Sequence, residues 1–354
     1  MNTTEAVLQL VRPDILALTA YSSARKEASG GRVWLDANEN PETPSAHQPL
    51  LNRYPEPQPA DLVAQLAALY RVGRDQVLVT RGSDEGIDLL LRTFCRAGRD
   101  AILITPPTYG MYVVAAGIQG ARTVTVPLVR ERNFALDADA VLRAVTPETK
   151  IVFLCSPNNP TGGLLERTAV LSVVRALAGR AVVVVDEAYV DFSGRLSLAA
   201  EIATNPNLIV LRTLSKAYGL AGARVGTTIA NPAVIAVLQK VIAPYPVPVP
   251  VLIVALAALT PAGLAAARES VDLLVAERAR LAAALAKLPA IRRVWPSDAN
   301  YLLVEVADPA LAMTAGRAAG VVWRDRSKDV PNCIRITVGT PDENNATLEV
   351  LSRV

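Results

Sequence analysis

The sequence predicts an α/β protein: a large domain built on a mostly parallel central sheet, followed by a smaller α+β domain. Three observations carry this expectation. Short β-branched runs alternate with longer helical patterns from about residue 75 to 230, the run AVVVVDE at 181–187 shows no polar alternation, and the pattern changes after Asn231. Alternating strands and helices give parallel strands joined by crossovers. A strand without alternation is covered on both faces, so this run belongs near the centre of the sheet.

Taken in order, the first fifty residues are rich in Pro and Asn and read as an N-terminal arm, 1–50. The large domain spans 51–245, with strands expected at 76–80, 101–104, 123–126, 151–155, 182–185 and 208–211. Between the first two, 84–96 places Ile87, Leu90, Leu91 and Phe94 at helical spacing and opens with two carboxylates at the positive end of the helix dipole. The Pro-rich crossing APYPVPVP at 243–250 marks the boundary. The small domain, 246–354, carries strands near 301–306 and 333–338 among Ala- and Leu-rich helical sequence.

Composition removes several function classes. The chain has 354 residues, 51% apolar and 19% charged, enough for about two domains with a substantial core. Lys and Arg number 36 against 33 Asp and Glu, and the net charge of +3 is not gathered into a basic block, which argues against a dedicated nucleic-acid binder. The start MNTTEAVLQLVRPDI lacks the charged, apolar and small-residue regions of a signal peptide, so a cytoplasmic protein is expected. The most apolar stretch, 247–259, is broken by Pro248 and Pro250 and falls short of the roughly 20 residues a bilayer crossing needs, so a buried helix is expected there and no membrane partner. Cys95, Cys155 and Cys333 are too dispersed for a disulfide framework or a CxxC metal site. His47 is the only histidine, which excludes a multi-histidine zinc site and leaves a Ser-His-Asp triad dependent on one loop residue. Cofactor chemistry is the better expectation.

Five segments carry residues suited to it. Asp186 ends the apolar run, where an ionised carboxylate needs a cationic partner, and Tyr189 follows it; a cap on the next turn is the plainer role for the Asp. In TLSKAYGLAGARVG at 213–226, Gly219, Gly222 and Gly226 allow close backbone approach, while Ser215 and Arg224 offer a hydroxyl and a bidentate guanidinium to a phosphate. Lys216, beside them, can form a Schiff base with an aldehyde if its amine is deprotonated; a solvated loop lysine is the plainer alternative. SPNNPTG at 156–162 fixes a turn after a strand and presents Asn159. RGSDEG at 81–86 leads Gly82, Ser83 and Asp84 into a helix whose free N–H groups suit a phosphate. PPTYGMY at 106–112 offers Tyr109 as a stacking surface, or as ordinary packing.

Together these segments resemble the fold-type I pyridoxal-phosphate-dependent aminotransferases. With DANENP at 36–41, RYPEPQP at 53–59 and RITVGT at 335–340, the chain is similar almost end to end to the histidinol-phosphate aminotransferases within that superfamily. The resemblance implies pyridoxal 5'-phosphate as cofactor, with Lys216 as the Schiff-base lysine, Asp186 as partner of the ring nitrogen, and Tyr189 and Asn159 as donors to the ring oxygen. It implies Tyr109 against the ring face, and Gly82, Ser83, Asp84, Ser215 and Arg224 around the cofactor phosphate. Tyr54 would reach that phosphate from a second subunit, so the resemblance implies a homodimer with shared sites. Arg335 would bind the substrate's anionic group, Arg324 or Arg326 would give a second phosphate contact, and Tyr21 and Asn40 on the arm would close over the substrate.

The implied reaction moves an amino group between L-glutamate and imidazole-acetol phosphate. A phosphothreonine decarboxylase and an aromatic-amino-acid aminotransferase are rivals on the same fold. A nicotinamide-dependent oxidoreductase is the rival from another class, although no strand here runs directly into GxGxxG.

Overall fold

The computed structural model describes residues 4–20, 36–42 and 51–354. Seven strands form the large sheet: β1 (Val77–Thr80), β2 (Ala101–Ile104), β3 (Arg122–Thr125), β4 (Thr149–Cys155), β5 (Val182–Asp186), β6 (Leu208–Thr213) and β7 (Gly226–Ile229). They lie in the order β1-β7-β6-β5-β4-β2-β3. β2 to β6 are parallel, and β7 runs antiparallel to both of its neighbours.

β5 sits in the middle, as its composition predicts. Val183 and Val185 enter the core on one face of the sheet while Val182 and Val184 enter the core on the other. β4 divides in the same way, with Val152 and Leu154 on the first face and Ile151, Phe153 and Cys155 on the second. Two covered faces leave no position for a polar residue until the strand ends.

All six strands expected between residues 75 and 230 are present, with ends displaced by no more than two residues. The helix expected at 84–96 begins earlier, as Gly82–Phe94. β7 was not expected. It is a short GTTI segment behind the glycine-rich stretch, and its threonines are buried only because β1, β6 and the helix Gly82–Phe94 pack around it.

The stretch 247–259 also needs correction. It forms the helix Val249–Ala258, but Ala255 is its buried residue, while Ile253 and Val254 are exposed at 54% and 45%. It packs on the helices Ala60–Tyr70 and Pro261–Leu285, which leave Ile253 and Val254 open among the described residues. Val247, Ala255 and Leu259 join the core beneath the large sheet, so we propose that the small domain starts near Thr260, where the side chain caps the helix Pro261–Leu285. Among the described residues no single helix is long and apolar enough to cross a membrane. In the arm, Val7 and Val11 are buried against the large domain, Arg12 N–H donates to Thr93 O at 3.0 Å, and Lys240 Nζ donates to Leu16 O at 2.8 Å.

The small sheet is antiparallel, in the order β10 (Arg324–Asp325), β11 (Cys333–Thr337), β9 (Tyr301–Val306), β8 (Ile291–Val294). β9 and β11 match the expectation. β8 and β10 are edge strands that carry exposed charged residues, so they lack an apolar signature.

Trp295 joins the two units. It is 2% exposed, its ring lies 4.6 Å from Phe134 in the large domain, and the Arg293 guanidinium sits 3.6 Å from its centroid. Trp295→Ala should cost about 3–5 kcal/mol in urea unfolding, and a loss under about 1 kcal/mol would show that this contact does not hold the domains together.

Candidate active site

The chain leaves β2 toward β3 and leaves β4 toward β5 on the opposite side, which opens a crevice beyond the carboxyl ends of the strands. A cavity of about 500 Å³ lies over these ends. It draws Ser83 and Asp84 from the end of β1, Tyr109 from β2, Asn159 from β4, Asp186 and Tyr189 from β5, Ser215 and Lys216 from β6, and Arg324, Arg326 and Arg335 from the small domain. The expected residues from five loops are thus brought into one space.

Asp186 ends β5 at 2% exposure. Its Oδ2 accepts a hydrogen bond from the Tyr112 hydroxyl at 2.8 Å and its Oδ1 accepts one from the Ala188 N–H at 3.1 Å. Burial raises its pKa from 3.8 to about 6, with the Tyr112 and Ala188 hydrogen bonds opposing the rise. Glu187, the next residue, serves the scaffold: it accepts from the Ser197 hydroxyl at 2.5 Å and Leu198 N–H at 2.7 Å, and lies 3.7 Å from Arg212. Arg212 in turn donates to Asp191 at 2.7 Å and packs over Tyr70, which fixes the turn that presents Tyr189.

Tyr189 meets Tyr301 edge-on, with ring centroids 5.1 Å apart, and Lys216 Nζ lies 5.6 Å from the Tyr189 centroid. Burial holds the Lys216 amine below its ordinary pKa, and the Arg335 and Arg224 charges push it the same way. A lysine held so is a better nucleophile at neutral pH.

The N-terminus of the helix Gly82–Phe94 borders one end of the cavity through Ser83 and Asp84. Gly82 has φ +74°, and a Cβ there would stand 2.4 Å from the Arg224 guanidinium. A Cβ on Gly226 would stand 2.2 Å from the Gly82 carbonyl carbon, so β7 and this helix start approach closely through bare backbone. Arg224 donates to Asp84 Oδ2 at 3.0 Å and Tyr109 OH donates to Asp84 Oδ1 at 2.9 Å. Ser215 Oγ lies 3.4 Å from Arg224. Free helix N–H groups, a hydroxyl and a guanidinium fit a phosphate, and a lysine with a buried carboxylate at the other end fits a pyridine aldehyde.

A second cationic group faces the same cavity. Arg335 on β11 donates to Asn159 Oδ1 at 2.5 Å and lies 5.2 Å from the Tyr301 ring centroid. Arg324 lies opposite it in register, exposed. Arg326 pairs with Asp329 at 3.0 Å, and burial followed by the Arg335 and Arg324 charges depresses its pKa against the pull of Asp329. The Nε atoms of Arg326 and Arg335 are buried and have no hydrogen-bond partner among the described residues.

Gly82 stands beside Ser83 at the helix start without lining the cavity itself, and three further expected residues are not gathered here. Tyr54, 51% exposed, stacks on Tyr245 at 4.5 Å outside the lining. Asn40 is exposed, accepts from Glu42 N–H at 3.0 Å, and is also outside it. Tyr21 lies outside the described residues. Sequence reasoning passed over Tyr112 and Tyr301. Tyr112 stood in PPTYGMY beside Tyr109, whereas Tyr301 opens an apolar strand and gives no signal of its own.

Two outcomes follow. Gly226→Ala should weaken pyridoxal phosphate binding to the apoprotein by tenfold or more, on the order of 1.4 kcal/mol, in an equilibrium titration; unchanged affinity would show that the close approach does not shape the phosphate end. Because burial raises Asp186 to about 6, the folded cofactor-free chain keeps a proton that the unfolded chain has released. The stability this group contributes is present below about pH 4 and is lost as pH rises through about 6. Relative to Asp186→Asn, the wild-type apoprotein should lose about 3 kcal/mol across that window, and parallel stability profiles would contradict the assignment.

Residues 26–351 match the model of the aminotransferase class I and II family. The chain is 50% identical over 354 residues to the histidinol-phosphate aminotransferase of Stenotrophomonas maltophilia, covering 98% of this chain and 96% of that one. The solved histidinol-phosphate aminotransferase of Sinorhizobium meliloti, in complex with pyridoxal 5'-phosphate, superposes with a TM-score of 0.76 at 26% identity, over 85% of this chain and 82% of that one. The Clostridium acetobutylicum enzyme of the same name shares the fold at a TM-score of 0.78 and 22% identity, over 86% and 90% of the two chains. The oxidoreductase alternative falls with these matches, and the chain belongs to the class I and II aminotransferase family.

Proposed function

We propose that this chain is a histidinol-phosphate aminotransferase that transfers an amino group reversibly between L-glutamate and imidazole-acetol phosphate, giving 2-oxoglutarate and L-histidinol phosphate in histidine biosynthesis. One observation carries the reading beyond the family: the cavity holds two separate cationic groups. Ser215 and Arg224 at the helix start suit the cofactor phosphate, which leaves Arg335 and Arg326 for an anion on the substrate. Their unpartnered Nε atoms are the reason to prefer Arg326 over Arg324 as the second phosphate contact. A guanidinium fork accepts a phosphate ester or a carboxylate, so one site serves both substrates in turn.

Pyridoxal phosphate supplies the electron sink for the reaction. Lys216, with its amine held below its ordinary pKa, would hold the cofactor aldehyde and, when free, would serve as the base toward the substrate carbon. Asp186 would keep the ring nitrogen protonated, Tyr189 and Asn159 would donate to the ring oxygen, and Tyr109 would cover the ring, all four lining one cavity. Exposed Tyr54, together with exposed Ile253 and Val254, supports a homodimer in which Tyr54 of the partner subunit completes the phosphate end. The absence of an apolar helix long enough to span a bilayer among the described residues is compatible with a cytoplasmic enzyme.

Mixing the enzyme with L-histidinol phosphate should bleach the visible cofactor band, 2-oxoglutarate should restore it, and no carbon dioxide should be released. Carbon dioxide from O-phosphothreonine instead would keep the fold and cofactor and replace the function. Arg335→Ala should slow both half-reactions by about a hundredfold, as expected when a buried charged contact worth roughly 3 kcal/mol is lost. Arg326→Ala should raise the KM for histidinol phosphate more than that for glutamate; the reverse order would return the phosphate to Arg324.

A further inference from the structure

We propose that Tyr112 is a positioning residue for Asp186: its hydroxyl fixes the carboxylate that meets the cofactor's ring nitrogen. This inference rests on the reading of Asp186 given above. Tyr112 lies in the first turn of the helix Met111–Gln119 and is fully buried. Its ring stacks on Phe153 of β4, with centroids 4.6 Å and planes 9° apart, and meets the Tyr109 ring edge-on at 5.6 Å and 87°. A side chain clamped in this way aims its hydroxyl at the end of β5, with the Cys155 thiol beside it. There it donates to Asp186 Oδ2, at 2.8 Å.

The backbone N–H of Ala188 occupies the other oxygen, so both ends of the carboxylate are held and it cannot rotate. Each carboxylate oxygen accepts more than one hydrogen bond, which leaves acceptor capacity for a ring N–H. The other titratable groups near Asp186 are Cys155, in register on β4, and Asp84, Tyr109, Tyr189, Tyr301 and Lys216. Among the described residues Tyr112 is the side chain hydrogen-bonded to it. Without that donor the buried carboxylate loses a compensating hydrogen bond and takes up a proton more readily, and a neutral acid is a poor partner for a protonated ring. Because Tyr112 also touches Tyr109, one residue links the group under the ring nitrogen to the group on the ring face.

The test is equilibrium binding of the apoprotein to pyridoxal phosphate and to its 1-deaza analogue, in which carbon replaces the ring nitrogen. Wild type should prefer pyridoxal phosphate. Tyr112→Phe keeps the ring stack, and it should lose about tenfold toward pyridoxal phosphate while its affinity for the analogue stays within about twofold. Equal losses toward both ligands, or no loss toward either, with wild type still discriminating, would overturn the role of Tyr112. A wild type that binds both ligands equally would overturn the reading of Asp186 itself. If Tyr112→Phe melts early, the Asp186→Asn background decides: adding Tyr112→Phe there should cost no further affinity for pyridoxal phosphate, and an additive loss would mark a structural role only.

Discussion

A carboxylate placed where a strand ends between two covered sheet faces must be answered by hydrogen-bond donors and, in the working enzyme, by a cation. Around Asp186 the surrounding elements are arranged to answer it. The Ala188 backbone turns back on one oxygen, Tyr112 reaches across from the helix after β2 to the other, and Lys216 approaches from the end of β6. The period-2 geometry of β5 puts Asp186 on the same face as Val182 and Val184, the face on which Tyr112 and Phe153 pack. Register with Cys155 then brings the β4 loop alongside, and with it Asn159.

The opposite end of the cavity is built on a close approach of backbone to backbone, an arrangement that suits an anion. There the glycines at 82 and 226 remove the side chains that would otherwise separate β7 from the start of the helix Gly82–Phe94. Arg224 adopts φ +56°, a conformation that costs a residue with a Cβ about 1–2 kcal/mol, and is held there with its guanidinium on Asp84. Asp84 also takes the Tyr109 hydroxyl, so Tyr109 and Arg224 share one carboxylate.

The small domain enters the site through few but specific contacts. Tyr301 donates to the Asn158 carbonyl at 2.8 Å while its ring supports Tyr189, and Arg335 donates to Asn159. Arg335, proposed for the substrate anion, is therefore tied to the loop after β4 that presents Asn159. Asp298 accepts the Leu164 N–H at 3.0 Å and Arg130 pairs with Glu305 at 3.0 Å, two further ties between the domains.

The sequence by itself determined the central sheet, because strands covered on both faces leave an unbroken apolar run and their helices leave a regular spacing. It also pointed to candidate residues at the strand ends, since Asp186 closes β5 and Asn159 and Lys216 follow β4 and β6 within four residues, while Arg224 stands in the glycine-rich stretch before β7. β7 and the small sheet's edge strands escaped it, because GTTI, IRRV and RD become strands only through their neighbours. Tyr112, Tyr301 and the choice between Arg324 and Arg326 escaped it for a related reason. Their roles depend on which way a side chain points and on what lies across from it, and those are set by packing between segments far apart in the chain, as with the 74 positions that separate Tyr112 from Asp186.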